Sequence, residues 1–160
     1  MPAIQTSYEM YHNPYFVGQL TDTTSCVIES YLVEDANIPF GTPVYQGKTD
    51  RGITATPSVN PVTEAVFIGI TCSDIMGDPQ LFNMANGTPD GYRVGGMAKV
   101  LRIGCVAVTA DAAVSANDAV ALSADGTTFV AAATANAVPL SRARYKASVA
   151  SGAIVPVEIR

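Results

Sequence analysis

Apolar and polar positions alternate most clearly between Arg142 and Val149, where Arg142, Arg144 and Lys146 fall on one face and Ala143, Tyr145, Ala147 and Val149 on the other. A period of two is the mark of a half-buried strand. Ala150-Ser151-Gly152 then reads as a three-residue hairpin loop into a closing strand over 153–159, with Gly152 where positive φ is needed. Pro156 offers no ladder N–H, which places that last strand at a sheet edge. Asp125-Gly126, between apolar runs at 117–122 and 127–131, is a second hairpin signal. Further strands are predicted over 25–33, 44–46, 62–71 and 99–109. No helical period outlasts two turns, and Ala131-Ala132-Ala133 sits among β-branched residues and turn formers. The pattern therefore predicts an all-β chain, a single β-barrel or β-sandwich domain of jelly-roll type.

The early part of the chain is less regular. Eight of the ten prolines fall within residues 1–98, and Tyr8, Tyr11, Tyr15 and Phe16 crowd an aperiodic start. The expectation is an extended N-terminal arm over 1–24 and one β domain over 25–160, interrupted by a long loop at 73–98. That loop holds Gly77-Asp78-Pro79, Asn86-Gly87-Thr88-Pro89-Asp90-Gly91 and Gly95-Gly96. Connections of such length inside a compact domain are usually functional or disordered. Leu81, Phe82, Met84 and Met97 give it apolar content, which favours an ordered loop that docks on something.

Composition sharpens this picture. A length of 160 residues fits one core, at about 100–200 residues per domain. Charged residues are 14%, where about 25% is usual, while apolar residues are 48%, mean hydropathy is +0.24 and Trp is absent. The longest apolar run, Ala65 to Ile70, is far short of the ~20 residues that span a bilayer, so no membrane partner is expected. The apolar excess must then be covered by another protein. A net charge of −5 argues against a nucleic-acid partner, whose phosphates call for Lys and Arg. Residues 1–98 carry three basic and ten acidic groups, net −7, and residues 99–160 six and four, net +2. Such asymmetry would help identical subunits meet head to tail. The first residues have neither a basic nor an apolar segment of the secretory kind, so no signal peptide is expected.

Little reactive chemistry is on offer. Nucleophilic catalysis needs an oriented base, and the lone histidine, His12, lies among the aromatics of the arm, where packing is its expected role. Cys26, Cys72 and Cys105 sit singly in apolar strand-like runs and read as buried reduced thiols. Asp74, Asp78 and Asp90 share one loop, yet their spacing does not match a calcium hand, and solvated loop acids are expected. Asn86-Gly87-Thr88 is read as a turn. Neither phosphate-binding loop is present, since Gly91-Tyr92-Arg93-Val94-Gly95-Gly96 follows no apolar strand. Asp90-Gly91-Tyr92-Arg93-Val94-Gly95 superficially resembles the uridine-binding hairpin of trimeric dUTP pyrophosphatases, but that family's phosphate motifs are missing. No catalytic residue, cofactor or metal is expected.

Three stretches resemble the head decoration, or structural cement, proteins of tailed bacteriophages. The first is Ala36-Asn37-Ile38-Pro39-Phe40-Gly41-Thr42-Pro43-Val44, an apolar residue and a Pro/Gly turn announcing a core strand. The second is Gly52-Ile53-Thr54-Ala55 with Phe67-Ile68-Gly69-Ile70-Thr71. The third runs from Ile103-Gly104-Cys105 through Val114 to Val120, Asp125-Gly126-Thr127-Thr128-Phe129 and Ala143-Arg144-Tyr145 to Gly152 to Ile159. The resemblance covers about 36–72 and 99–160, and the 73–98 loop has no counterpart in it.

The resemblance implies a β-barrel or β-sandwich virion protein made in the bacterial host cytoplasm. It would bind the exterior of the assembled capsid, commonly as a homotrimer, and bridge neighbouring major capsid protein subunits. On that reading Tyr8, Tyr11, Tyr15 and Phe16 of the arm and Leu81, Phe82 and Met84 of the loop are candidate interface anchors, since such side chains dominate hot spots. The alternative is that these aromatics cap the chain's own barrel. Arg142 and Arg144, with Lys146, could meet an acidic capsid patch or the acidic half of a neighbour, or form a solvated strand face. The competing classes are a small trimeric nucleotide hydrolase, a tail or baseplate module, and a carbohydrate-binding β module, the last disfavoured by the lack of Trp.

Overall fold

The computed structural model describes residues 15–73 and 91–160, except for the side chains of Thr23 and Thr24, and among these residues strands dominate. In chain order they are β1 (Leu20–Val33), β2 (Ile38–Pro39), β3 (Pro43–Gln46), β4 (Gly52–Thr54), a 3-10 turn at Glu64–Val66, β5 (Phe67–Thr71), β6 (Gly91–Tyr92), β7 (Met97–Thr109), β8 (Ala119–Leu122), β9 (Phe129–Ala131), β10 (Val138–Tyr145) and β11 (Ile154–Ile159). The all-β expectation holds.

Nine strands form one sheet in the order β1-β4-β3-β5-β7-β11-β10-β8-β9, and β1 also pairs with β7. The first five strands thus close into a ring. Two long strands make closure workable. β1 runs antiparallel to β7 from Leu20 to Leu32 and parallel to β4 at Leu32 and Val33. β7 meets β5 at Val100 and Leu101 and β11 from Gly104 to Thr109. Between those contacts the β1–β7 ladder shifts register around Asp22 to Ile28, with Ser25 at φ 58° and Gly104 at φ 131°. Extra residues of this kind bend a strand and increase its twist, which a small closed ring requires.

Two apolar cores follow. Tyr31, Val33, Val44, Ile53, Ala98 and Val100 fill one with Ile38 and Tyr92 of the separate β2–β6 pair. Leu101, Val106 and Val108 of β7 face the other, with Tyr45, Phe129, Tyr145, Val155 and Val157. Val100 and Leu101, as adjacent strand residues, face opposite sides, so one strand serves both cores. Buried tyrosine hydroxyls need partners. Tyr145 donates to the Val130 carbonyl at 2.9 Å, and Tyr45 donates to that of Gly126. The second of these ties the Asp125-Gly126 hairpin, which joins β8 and β9 as expected, to β3.

The alternation over 142–149 is also observed. Ala143 and Tyr145 are buried while Arg142, Arg144 and Lys146 are exposed, although the strand itself ends at Tyr145. Gly152 has φ 81° as expected, but β10 ends at Tyr145 and β11 begins at Ile154, so the connection spans 146–153 rather than three residues. The edge assignment of the last strand fails: β11 lies between β7 and β10. Pro156 is accommodated because its carbonyl accepts from Lys146 N–H at 2.9 Å, just beyond the end of β10. In an antiparallel ladder N and C=O of one residue share an edge, so the missing N–H faces Lys146, one residue past the end of β10, and costs the ladder no bond within that strand. Other boundaries moved as well. β1 begins at Leu20, inside the span assigned to the arm, β5 occupies only 67–71 of the predicted 62–71, and β6 and the start of β7 lie within the 73–98 span.

Candidate functional site

The arm enters the fold through a tight turn. Gln19 N–H donates to the Phe16 carbonyl at 3.0 Å, and Phe16 N–H donates to Gln19 Oε1 at 3.1 Å. Gly18, at φ 83°, donates to the Ala107 carbonyl of β7 and accepts from Ser73 N–H, both at 2.7 Å. A Cβ at Gly18 would lie 2.6 Å from that of Phe40, so only glycine fits. Immediately outside this anchor Phe16 is 54% exposed, and Tyr15 is partly buried. Ser73 is also where the predicted loop begins. Arm and loop, far apart in sequence, are therefore joined at their roots. Tyr8, Tyr11, Leu81, Phe82 and Met84 lie outside the described residues.

The far root of the loop is held too. Tyr92 is buried, its ring edge-on to Phe40 at 5.2 Å between centroids, and its hydroxyl donates to the Cys72 carbonyl at 2.7 Å. The hairpin that resembled a uridine site instead packs its tyrosine into the ring's core. Past it, Gly95 N–H donates to the Val33 carbonyl at 2.8 Å and Val33 N–H to that of Gly96 at 3.0 Å.

Arg142 and Arg144 are neighbours on the exposed face of β10 but turn to different tasks. Arg144 donates to the Asn117 carbonyl at 3.3 Å. Arg142 lines a cleft with Arg102 of β7, Arg160 and Glu64. Lys146 stands 3.7 Å from Glu158, which Arg160 also grips at 2.8 Å.

An exposed apolar stripe escaped the sequence reading. Leu32 is paired with Met97 and Val27 with Ile103 across the β1–β7 ladder, and all four are exposed, as is Ile28. Val27 and Ile28 lie in the strand predicted over 25–33, and the β1–β7 ladder shifts register on both sides of Val27. Of the cleft, Arg102 and Arg160 were missed because nothing in the sequence brings three strands together there.

The remaining candidates offer little reactivity. Cys72 and Cys105 are buried free thiols, and burial pushes Cys72 up to about 12 and Cys105 upward too. A thiol so placed holds almost no thiolate at neutral pH. Among the described residues no three His, Cys, Asp or Glu side chains gather as a metal set. His12, Asp74, Asp78, Asp90 and the Asn86-Gly87-Thr88 turn lie outside those residues.

Against known proteins, a family profile described as structural cement protein (E217 gp24/Pam3 gp6) matches residues 4–160. A chain in the structure of the capsid of Myoviridae phage XM1 is similar in fold, with a TM-score of 0.68 at 15% identity, covering 98% of this chain and 96% of that one. A chain in the crystal structure of the head fiber gp8.5 N base of bacteriophage phi29 aligns with a TM-score of 0.46 at 12% identity, covering 85% of this chain and 95% of that one. A search of curated protein sequences returns no match.

Proposed function

We propose that this chain, which belongs to the structural cement protein family and so is a structural component of the phage virion that associates with the capsid, is non-enzymatic and binds the outer surface of the assembled head as a homotrimer. There it cements neighbouring major capsid protein subunits. The arm over 1–24 and the loop over 73–98 act in this reading as one docking element, with Tyr8, Tyr11, Tyr15, Phe16, Leu81, Phe82 and Met84 as anchors. The observation that supports it is the shared root: Gly18 bonds both β7 and Ser73, so the described ends of the two segments lie side by side on the β domain. Joined anchors can reach one partner surface together, and a lattice repeats the contact many times, so modest affinities sum.

The test is cosedimentation with empty capsids. Residues 1–14 are deleted and Phe16 is changed to Ala, which spares the Gly18 hydrogen bonds that a deletion through residue 18 would cut. Hot-spot aromatics are worth at least ~2 kcal/mol, so capsid occupancy should fall more than about tenfold while the melting temperature is kept. Undiminished occupancy would refute the docking role.

A further inference from the structure

Three arginines from separate strands converge on one cleft: Arg102 from β7, Arg142 from β10 and Arg160 beyond β11. Its volume is about 200 Å³, and Ile68, Leu140 and Ile159 supply apolar lining. Each cation has a different status. Arg102 donates to the Tyr31 hydroxyl at 3.0 Å and stands 4.0 Å from Glu29. Arg160 is tied to Glu158 at 2.8 Å. Arg142 has no ion pair or side-chain hydrogen bond among the described residues. The one carboxylate in the lining, Glu64, is turned to the wall, where its Oε1 accepts from both Ser141 N–H and Ser141 Oγ at 2.8 Å.

Arg142 thus borders apolar lining with no ion partner of its own, and a charge-assisted, bidentate pair with an incoming carboxylate would use its free guanidinium. We propose that this cleft receives a carboxylate side chain from a second copy of this chain. Charge complementarity identifies the occupant: residues 99–160, which supply all three arginines, are net +2, whereas residues 1–98 are net −7. The contact joins the arginine cleft of one subunit to an acidic side chain of the next, a heterologous interface that closes into a ring when the rotation fits. The lining favours a carboxylate over a phosphate. Glu64 holds a fixed negative charge in the wall, which opposes a doubly charged group more strongly than a single one, and the aliphatic lining suits the methylenes of an acidic side chain. This rests on the trimeric cement reading and gives its subunit contact a location.

The test measures self-association of the full chain by sedimentation velocity, and capsid cosedimentation of the same samples. Neutralising the free guanidinium with Arg142→Gln should weaken self-association about tenfold or more, the usual loss for a charge-assisted bond. Arg142→Glu should weaken it further. Raising salt from about 0.05 to 1 M, which shortens the Debye length to ~3 Å, should weaken the parent protein but hardly change the variants. Lys146→Gln, on the same strand but outside the cleft, should stay within about twofold of the parent. A parent protein that is monomeric throughout, or Arg142 variants that associate as the parent does, overturns the inference. So does normal self-association with lost capsid binding, which would assign the cleft to the capsid. Capsid binding that persists in any of the first two cases leaves the cement reading standing, so the two failures are distinguishable.

Discussion

Replacing Tyr92 by Phe removes one oxygen atom and tests how the base of the long loop is held. The hydroxyl donates to the Cys72 carbonyl at 2.7 Å, and both residues are buried, at 6% and 1% exposure. Without it a buried acceptor is left unpaired, which costs ~1–3 kcal/mol. For a domain of this size each kcal/mol moves the midpoint by about 2–4 °C, so the melting temperature should fall by about 2–12 °C. The ring stays, and with it the edge contact to Phe40 at 5.2 Å. Tyr92→Ala loses that contact as well and opens a cavity, for a total of ~3–5 kcal/mol. The same bond brackets residues 73–91, since Cys72 and Tyr92 are its two ends. Its loss should therefore also speed amide exchange at Cys72, whose N–H donates to the Lys99 carbonyl at 2.9 Å. Thermal melting by circular dichroism with hydrogen exchange read by mass spectrometry gives both quantities. A Tyr92→Phe protein that melts within 1 °C of the parent with unchanged exchange, a shift below the ~2 °C expected of even 1 kcal/mol, would refute the reasoning.

Two further outcomes follow from local geometry. A Cβ at Gly69 would lie 2.2 Å from the Leu101 carbonyl oxygen, so Gly69→Ala must push β5 from β7 and open the ring, at a cost of about 3 kcal/mol or more; equal urea midpoints for variant and parent would contradict this. The Ser123 hydroxyl first, then Thr127 N–H and hydroxyl, hold the Asp125 carboxyl below the usual aspartate range. A lowered folded value stabilises at pH above the ordinary ~3.9 and is lost as pH falls through the folded value, so Asp125→Ala should lower the urea midpoint at pH 7, with the gap to the parent closing near pH 2. A gap that widens on acidification would show that another interaction is responsible.

Where local chemistry decides structure, the sequence was readable. Asp125-Gly126 formed its hairpin, Gly152 took positive φ, and Ala143 and Tyr145 turned inward while Arg142 and Arg144 turned out. Pro156 misled for a nonlocal reason. Its missing donor excludes only one direction on the ladder, and whether a partner stands there depends on where β10 ends, which no property of residues 153–159 reports. The exposure of Val27 and Ile28 was not legible either, because an apolar run does not say where a bulge will turn its side chains.

The candidate site divides along the same line. Aromatic and apolar residues in the arm and loop made them the anchors we propose, and low charge made an interaction surface the expectation. That much follows from composition and period alone, because both measure how much apolar surface the chain carries and on which face. Tertiary structure decided what meets what: Gly18 with Ser73, Tyr92 with Cys72, and Arg102 with Arg142 and Arg160. Each of these depends on β7 serving β1, β5 and β11 at once, and on a ring that closes through β1. Closure is a global condition on twist and register, and no window of sequence contains it.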